Sequence, residues 1–156
     1  MVALLVIQTR GAINYYDPTV AGKEPWDKVA LYIKSNSVMT DVILTCPYYD
    51  EAPLKYYLTG SSTPAVYGLV LHASETRSPV EQAVQLPITE LHPTIQTFNR
   101  IWLVMKDNWE CNSNLGRDVV LSAIGQTTAK VDSRRFSVPD SSEFAPIEIF
   151  LFEKIR

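Results

Sequence analysis

The chain has 156 residues, a formal charge of -3, 46% hydrophobic and 20% charged residues, a balance ordinary for a globular protein and unlike a disordered or fibrous one. Its acidic pI near 5.4 argues against nucleic acid, whose phosphates require clustered Lys and Arg. The composition predicts one compact domain over residues 1–156, large enough to bury a core without metal or disulfide support.

In chain order, "MVALLVI" predicts a buried strand over Val2–Thr9. It falls far short of the ~20 apolar residues of a membrane span and lacks the flanks of a signal peptide, so a cytoplasmic or particle-assembled location is expected. "KVALYIK", Lys28–Lys34, places Val29, Leu31 and Ile33 at a spacing of two and predicts a strand. Val38–Thr45 and Ala65–His72 are β-branched runs that predict two more. In "SPVEQAVQL", Ser78 as cap and Pro79 at the first turn predict a short helix over 79–86.

Residues 94–109 fit both periodicities. Ile95, Phe98, Trp102, Met105 and Trp109 follow helical spacing, while the β-branched and aromatic content and Asp107-Asn108 suit a hairpin; the strand is taken. Arg117–Ile124 and Pro146–Ile155 complete the predicted strands, the last with Ile147, Ile149 and Leu151 opposite Glu148, Phe150 and Phe152 and suited to a central position. "KVDSRRF", Lys130–Phe136, mixes three cations with Asp132 and reads as a solvated strand face. Together these predict a mainly β fold, a two-sheet antiparallel β-sandwich of jelly-roll or immunoglobulin-like kind, or an α+β sandwich if residues 94–109 are helical.

Chemistry is sparse. The two histidines, His72 and His92, have no metal-ligand spacing. G-x-S-x-G and glycine-rich phosphate loops are missing; "YLTGSSTP" around Gly60 reads as a surface turn. Asp50 and Glu51, as neighbours on extended backbone, should face opposite ways, and neither they nor Asp140–Glu143 make a convincing cation site. Cys46 and Cys111 read as free buried thiols, with a Cys46–Cys111 bridge as the alternative, and with no Asn-x-Ser/Thr acceptor in the chain they suit a reducing compartment. No cofactor and no metal are expected.

The remaining signal is aromatic. Six of the eight tyrosines form adjacent pairs, Tyr15-Tyr16, Tyr48-Tyr49 and Tyr56-Tyr57. On a strand one ring of each pair enters the core and the other faces outward. With Trp26 they form a candidate interaction surface. The expectation is a non-enzymatic structural or interaction protein, a subunit or adaptor of a larger assembly such as a virus or phage particle, with protein partners or self-association. A carbohydrate or small-ligand binding β-sandwich is the alternative, and an enzyme with acids drawn from separate loops is third.

Overall fold

The computed structural model describes residues 24–60, 63–70, 85–106, 114–137 and 145–155. The predicted strand at Val2–Thr9 and residues 79–84 of the predicted helix lie outside these residues; the end of that helix, Gln85 and Leu86, is corrected to strand.

The first described helix, α1, runs Trp26–Asn36 where a strand was expected, and its burial shows why. Trp26, Val29, Ala30 and Ile33 are buried, a spacing of i, i+3, i+4 and i+7 that makes one helical stripe. Leu31, which a strand would bury beside Val29 and Ile33, is 66% exposed. Strand β1, Val42–Cys46, follows and is buried at all five positions. A 3-10 turn, Tyr48–Asp50, leads into α2, Glu51–Tyr57, and then come β2, Ala65–Val70, and β3, Gln85–Pro87. Helix α3 spans Ile88–Ile95, β4 Arg100–Lys106 and α4 Asn114–Gly125. The chain closes with β5, Thr128–Phe136, and β6, Ile147–Lys154.

The expected two-sheet sandwich is corrected by the strand pairing. The strands form one six-stranded sheet in the order β3-β2-β1-β4-β6-β5. β1 pairs parallel with both β2 and β4, β2 pairs parallel with β3, and β6 runs antiparallel between β4 and β5. Among the described residues four helices cover both faces, which is what a parallel β1 with no water on either side requires. Of residues 94–109, taken as strand, Arg100–Lys106 form β4, Thr94 and Ile95 end α3, and 107–109 lie outside the described residues; the α+β character comes from α1, α2, α3 and α4. The strand expected over Arg117–Ile124 is the body of α4, where Val120 and Ile124, four apart, are buried and Val119 is exposed.

Alternation along the strands divides the core in two. Val42, Leu44 and Cys46 of β1 join Ile101, Leu103, Met105, Phe150 and Phe152 beneath α3 and α4. Ile43, Trp102, Val104, Ile147, Ile149 and Leu151 pack on the other side against Trp26, Val29 and Ile33 of α1 and Leu54 of α2. β6 is an interior strand, as its two-sided apolar pattern predicted.

A buried carboxylate fixes the N-terminal edge of the parallel strands. Asp41, 1% exposed, accepts hydrogen bonds from the Trp102 indole N–H at 2.8 Å and the Val38 backbone N–H at 3.1 Å. Arg100 Nη1 lies 3.5 Å from the same oxygen, and its Nη2 donates to the Asn36 carbonyl at 3.1 Å. One side chain thus ties the α1–β1 turn to β4, and a buried group with several partners is expensive to remove.

The outer strand β5 is exposed at Ala129 to Arg135, as expected for a solvated face. Its register shifts between Lys130 and Asp132, so charge and an irregularity together blunt the sheet edge. Asp132 accepts a hydrogen bond from the Tyr32 hydroxyl of α1, and Arg134 lies over the Tyr32 ring, 4.9 Å from its centroid. The bond from Tyr32, helped by the Ser133 N–H, holds the Asp132 carboxyl below its ordinary value, and the same bond is the main cause of the raised Tyr32 phenol. Among the described residues no helix is long and apolar enough to cross a membrane.

Two measurements test this frame. Asp41→Ala leaves the indole N–H of Trp102 without its acceptor and is expected to cost about 3 kcal/mol in urea unfolding; a loss under about 0.5 kcal/mol would remove Asp41 from its organising role. Tyr32→Phe is expected to lower stability near neutral pH. Because the folded Asp132 value is depressed, that contribution is present above the unfolded aspartate value and disappears as pH falls through the folded one. Unfolding midpoints of the two proteins should therefore converge in acid, and a pH-independent gap would contradict the assignment.

Candidate functional site

In an open parallel sheet the ligand crevice forms outside the C-terminal ends of the strands, where the strand order reverses. Here the reversal falls between β1 and β4: β1 leads outward through β2 to β3, and the chain then returns through α3 to β4 on the other side of β1. The residues at those two strand ends are Thr45, Cys46 and the following turn, together with Met105 and Lys106.

The turn has a specific seat. After a cis Cys46–Pro47 peptide, Tyr48–Asp50 packs on β2 at Gly68, where an added Cβ would lie 2.5 Å from the Tyr48 carbonyl oxygen and 2.8 Å from its Cα. Only glycine admits the backbone so closely. Thr45 pairs with Gly68 on one side and Val104 on the other, and alternation places its side chain on the α1–α2 side with Val104 and Lys106. Its Oγ1 is fully buried and makes no hydrogen bond among the described residues.

Around this turn the charged groups gather. Lys106, at the end of β4, forms an ion pair with Glu24, and the Trp26 indole N–H donates to the other Glu24 oxygen at 2.7 Å. Burial opposes the Lys106 charge, but the hydrogen bond to Glu24 and the nearby Asp50, Glu24 and Tyr49 outweigh it and hold its ammonium above the ordinary lysine value. Asp50 and Glu51 are both buried, at 4% and 8% exposure. The sequence placed them on opposite faces of a strand; the observed chain is helical there and both are buried, with Glu51 paired to Lys55 along α2.

The other side of the same edge is cationic. Glu148 of β6 sits opposite Met105 and takes Arg117 of α4 at 2.6 Å and Arg135 of β5 at 3.6 Å. Arg117 also lies over the Phe150 ring at 5.3 Å.

The predicted aromatic candidates separate. Tyr15 and Tyr16 lie outside the described residues. Trp26 is buried at 4% and offers no outward face, although its indole positions Glu24. Tyr48 and Tyr49 stand at the reversal, stacked edge to face with centroids 5.4 Å apart, Tyr48 half-buried and Tyr49 45% exposed. Tyr56 and Tyr57, also edge to face at 5.0 Å, lie at the far end of α2, where Tyr57 packs into the core and Tyr56 is 55% exposed. Extended backbone through the doublets is therefore corrected: these two pairs are helical. At about 100° per residue a helix also separates neighbours, so one ring of each pair still faces outward.

Sequence reasoning missed Glu24, Lys106 and Gly68. Glu24 and Lys106 are far apart in the chain, and nothing in either neighbourhood announces the pairing. It also misread Cys46, which is fully buried and disulfide-bonded rather than a free thiol. His92 lies on α3 with its ring nitrogen 3.4 Å from Gln96 Nε2, and His72 lies outside the described residues. Among the described residues no group of three or more His, Cys, Asp or Glu could hold a metal ion.

No protein-family model and no curated protein matches the chain. Among solved structures, dihydrofolate reductase from Enterococcus faecalis complexed with NADP(H) and RAB-propyl aligns over 86% of this chain and 84% of its own at 8% identity and a TM-score of 0.37. TYW2 from M. jannaschii in complex with AdoMet aligns over 88% and 80% at 10% identity and a TM-score of 0.38. Likenesses this distant carry no activity over to this chain. The expected non-enzymatic particle subunit is corrected on the fold alone. The β-sandwich on which that expectation and its carbohydrate-module alternative were built is absent among the described residues, where a single mixed sheet stands instead.

Gly68→Ala tests the seat of the turn. The new methyl must displace the Tyr48 backbone, at an expected cost of about 1–3 kcal/mol, and the Tyr48, Tyr49 and Asp50 amide resonances should move while those of β6 stay in place. Unmoved turn resonances would mean that the close approach does not set the geometry.

Proposed function

We propose that the protein binds a small molecule of nucleoside type, a planar base joined to a sugar with neighbouring hydroxyls, at the C-terminal edge of β1 and β4. The observation that carries this reading is the convergence of Tyr49, Asp50, Glu24 and Lys106 at the point where the strand order reverses. Carboxylates accept from vicinal hydroxyls, an ammonium donates, and a half-exposed tyrosine offers a face on which a ring stacks.

A diphosphate suits the α1–α2 side poorly. A pyrophosphate cradle needs glycines and free backbone N–H groups after the first strand. Here the turn begins with Pro47, which has no N–H, while Glu24 and Asp50 lie close to Lys106 and Glu51 is paired with Lys55. Like charges would repel a polyanion from this spot.

The described elements share one sheet, which supports reading residues 1–156 as one domain. The disulfide at Cys46 favours an oxidising compartment over the cytoplasm expected from sequence.

Titration with adenosine, followed by amide chemical shifts, is expected to give saturable changes at Tyr49, Asp50 and Lys106, and ADP is expected to bind more weakly. Tyr49→Ala should weaken adenosine binding about tenfold, near 1.4 kcal/mol, within the range measured for base–aromatic stacking. A folded protein with no saturable shift at these residues for any nucleoside would overturn the proposal.

A further inference from the structure

We propose that the α4 side of β5 and β6 carries a second binding site, for a phosphoryl dianion (inorganic phosphate or a phosphate monoester), held by Arg117, Lys130 and Arg135. It lies on the opposite face of the sheet from the nucleoside site and does not depend on it.

The site begins with the basic run Lys130–Phe136, in which Asp132 stands among the cations. On a regular strand Lys130, Asp132 and Arg134 would share one face and Arg135 would take the other. This strand is not regular. Lys130 stands opposite Phe152 and Asp132 opposite Leu151, so Val131 is an extra residue and the alternation restarts after it. Asp132, Arg134 and Phe136 thereby face α1, where Asp132 takes the Tyr32 hydroxyl and Arg134 covers the Tyr32 ring. Lys130, Ser133 and Arg135 face α4. Lys130 Nζ lies 5.6 Å from the centroid of Phe150, a ring of the core cluster beneath α3 and α4. The bulge thus sends the acid of the run to one face and gathers two of its cations on the other.

Helix α4 supplies the third cation. Arg117 lies over the same Phe150 ring at 5.3 Å, and its Nη2 is 2.6 Å from Glu148 Oε2, while Arg135 Nη1 is 3.6 Å from Glu148 Oε1. Two guanidiniums from different elements therefore converge on one carboxylate, with an ammonium at the neighbouring ring. Asp118, the next residue of α4, lines a groove with Ile88 and Thr89 of α3. Among the described residues Glu148 is the one acid paired with these cations, which leaves two positive charges in excess. A guanidinium carries more N–H donors than one carboxylate oxygen can take, and its planar fork matches the oxygens of a phosphoryl group. A dianion balances the excess; a carboxylate would balance half of it. The Arg135 side chain is 61% exposed and Lys130 is exposed, so the ligand reaches the donors from solvent.

Titration of the whole chain with inorganic phosphate and, separately, with glycerol phosphate tests this by chemical shifts at constant ionic strength. Saturable changes are expected at the Lys130, Ser133 and Arg135 amides and at the Arg117 Nε–H, with acetate binding more weakly. Tighter binding of the ester would identify an organic phosphate as the ligand, and equal or weaker binding the free ion. Arg135→Gln should weaken phosphate binding about fivefold, the loss of one charge-assisted contact in a partly exposed site. Arg134→Gln, one residue away on the opposite face, should leave it unchanged. Equal losses in the two variants would reduce the site to diffuse surface charge and overturn the proposal, as would a folded protein with no saturable shift, or acetate binding as tightly as phosphate.

Discussion

The structure depends on one constraint: β1 must be paired on both edges and covered on both faces at once. A five-residue strand that meets β2 and β4 in parallel has no route to either partner except a crossover over the sheet. The crossover to β2 carries α2 on one face. The return to β4 carries α3 on the other. That opposition is the origin of both core clusters and of the exclusion of water from Val42 to Cys46.

The two ends of β1 are held by different chemistry. At its root, Asp41 collects an indole N–H, a backbone N–H and a guanidinium into one buried knot, which fixes β4 relative to the α1–β1 turn before any packing detail matters. At its tip, steric fit takes over, because Gly68 leaves room for a backbone where any other residue would place a methyl. The hydrophobic strand between them makes no chemical distinctions. Specific groups appear only where the apolar run stops, and this is why Glu24, Asp50 and Lys106 gather at the tip.

The strands β1, β2, β4 and β6 were legible because long β-branched and aromatic runs suit few other settings, and β6 even declared its interior position through apolar residues on both faces. Helices α1 and α4 were not, because Val29 and Ile33, or Val120 and Ile124, stand four apart, a spacing that a strand and a helix both bury. Leu31 alone distinguishes the two at α1, and its exposure is a property of the fold. Trp26, three residues before Val29, extended the helical stripe and was the available signal. The site was legible only in part. Tyr48, Tyr49 and Asp50 stood out as a motif, while Lys106 and Glu24 meet solely because the strand order reverses beside them, a long-range fact that no local pattern encodes.

The polarity of the edge follows from the same topology. Residues alternate across the sheet, so Lys106 and Glu148, near neighbours through the β4–β6 register, point to opposite faces. Each gathers its own counter-charges: acids from the α1 and α2 side around the lysine, arginines from α4 and β5 around the glutamate. A net charge of -3 for the chain conceals this division, which is why composition argued against nucleic acid but said nothing about a small polar ligand. A molecule lying across the tip of β4 meets acceptors on one side and guanidinium donors on the other. A ligand with hydroxyls at one end and acceptor atoms at the other fits that asymmetry in one orientation only, because turning it end for end would set acceptors against carboxylates and donors against arginines.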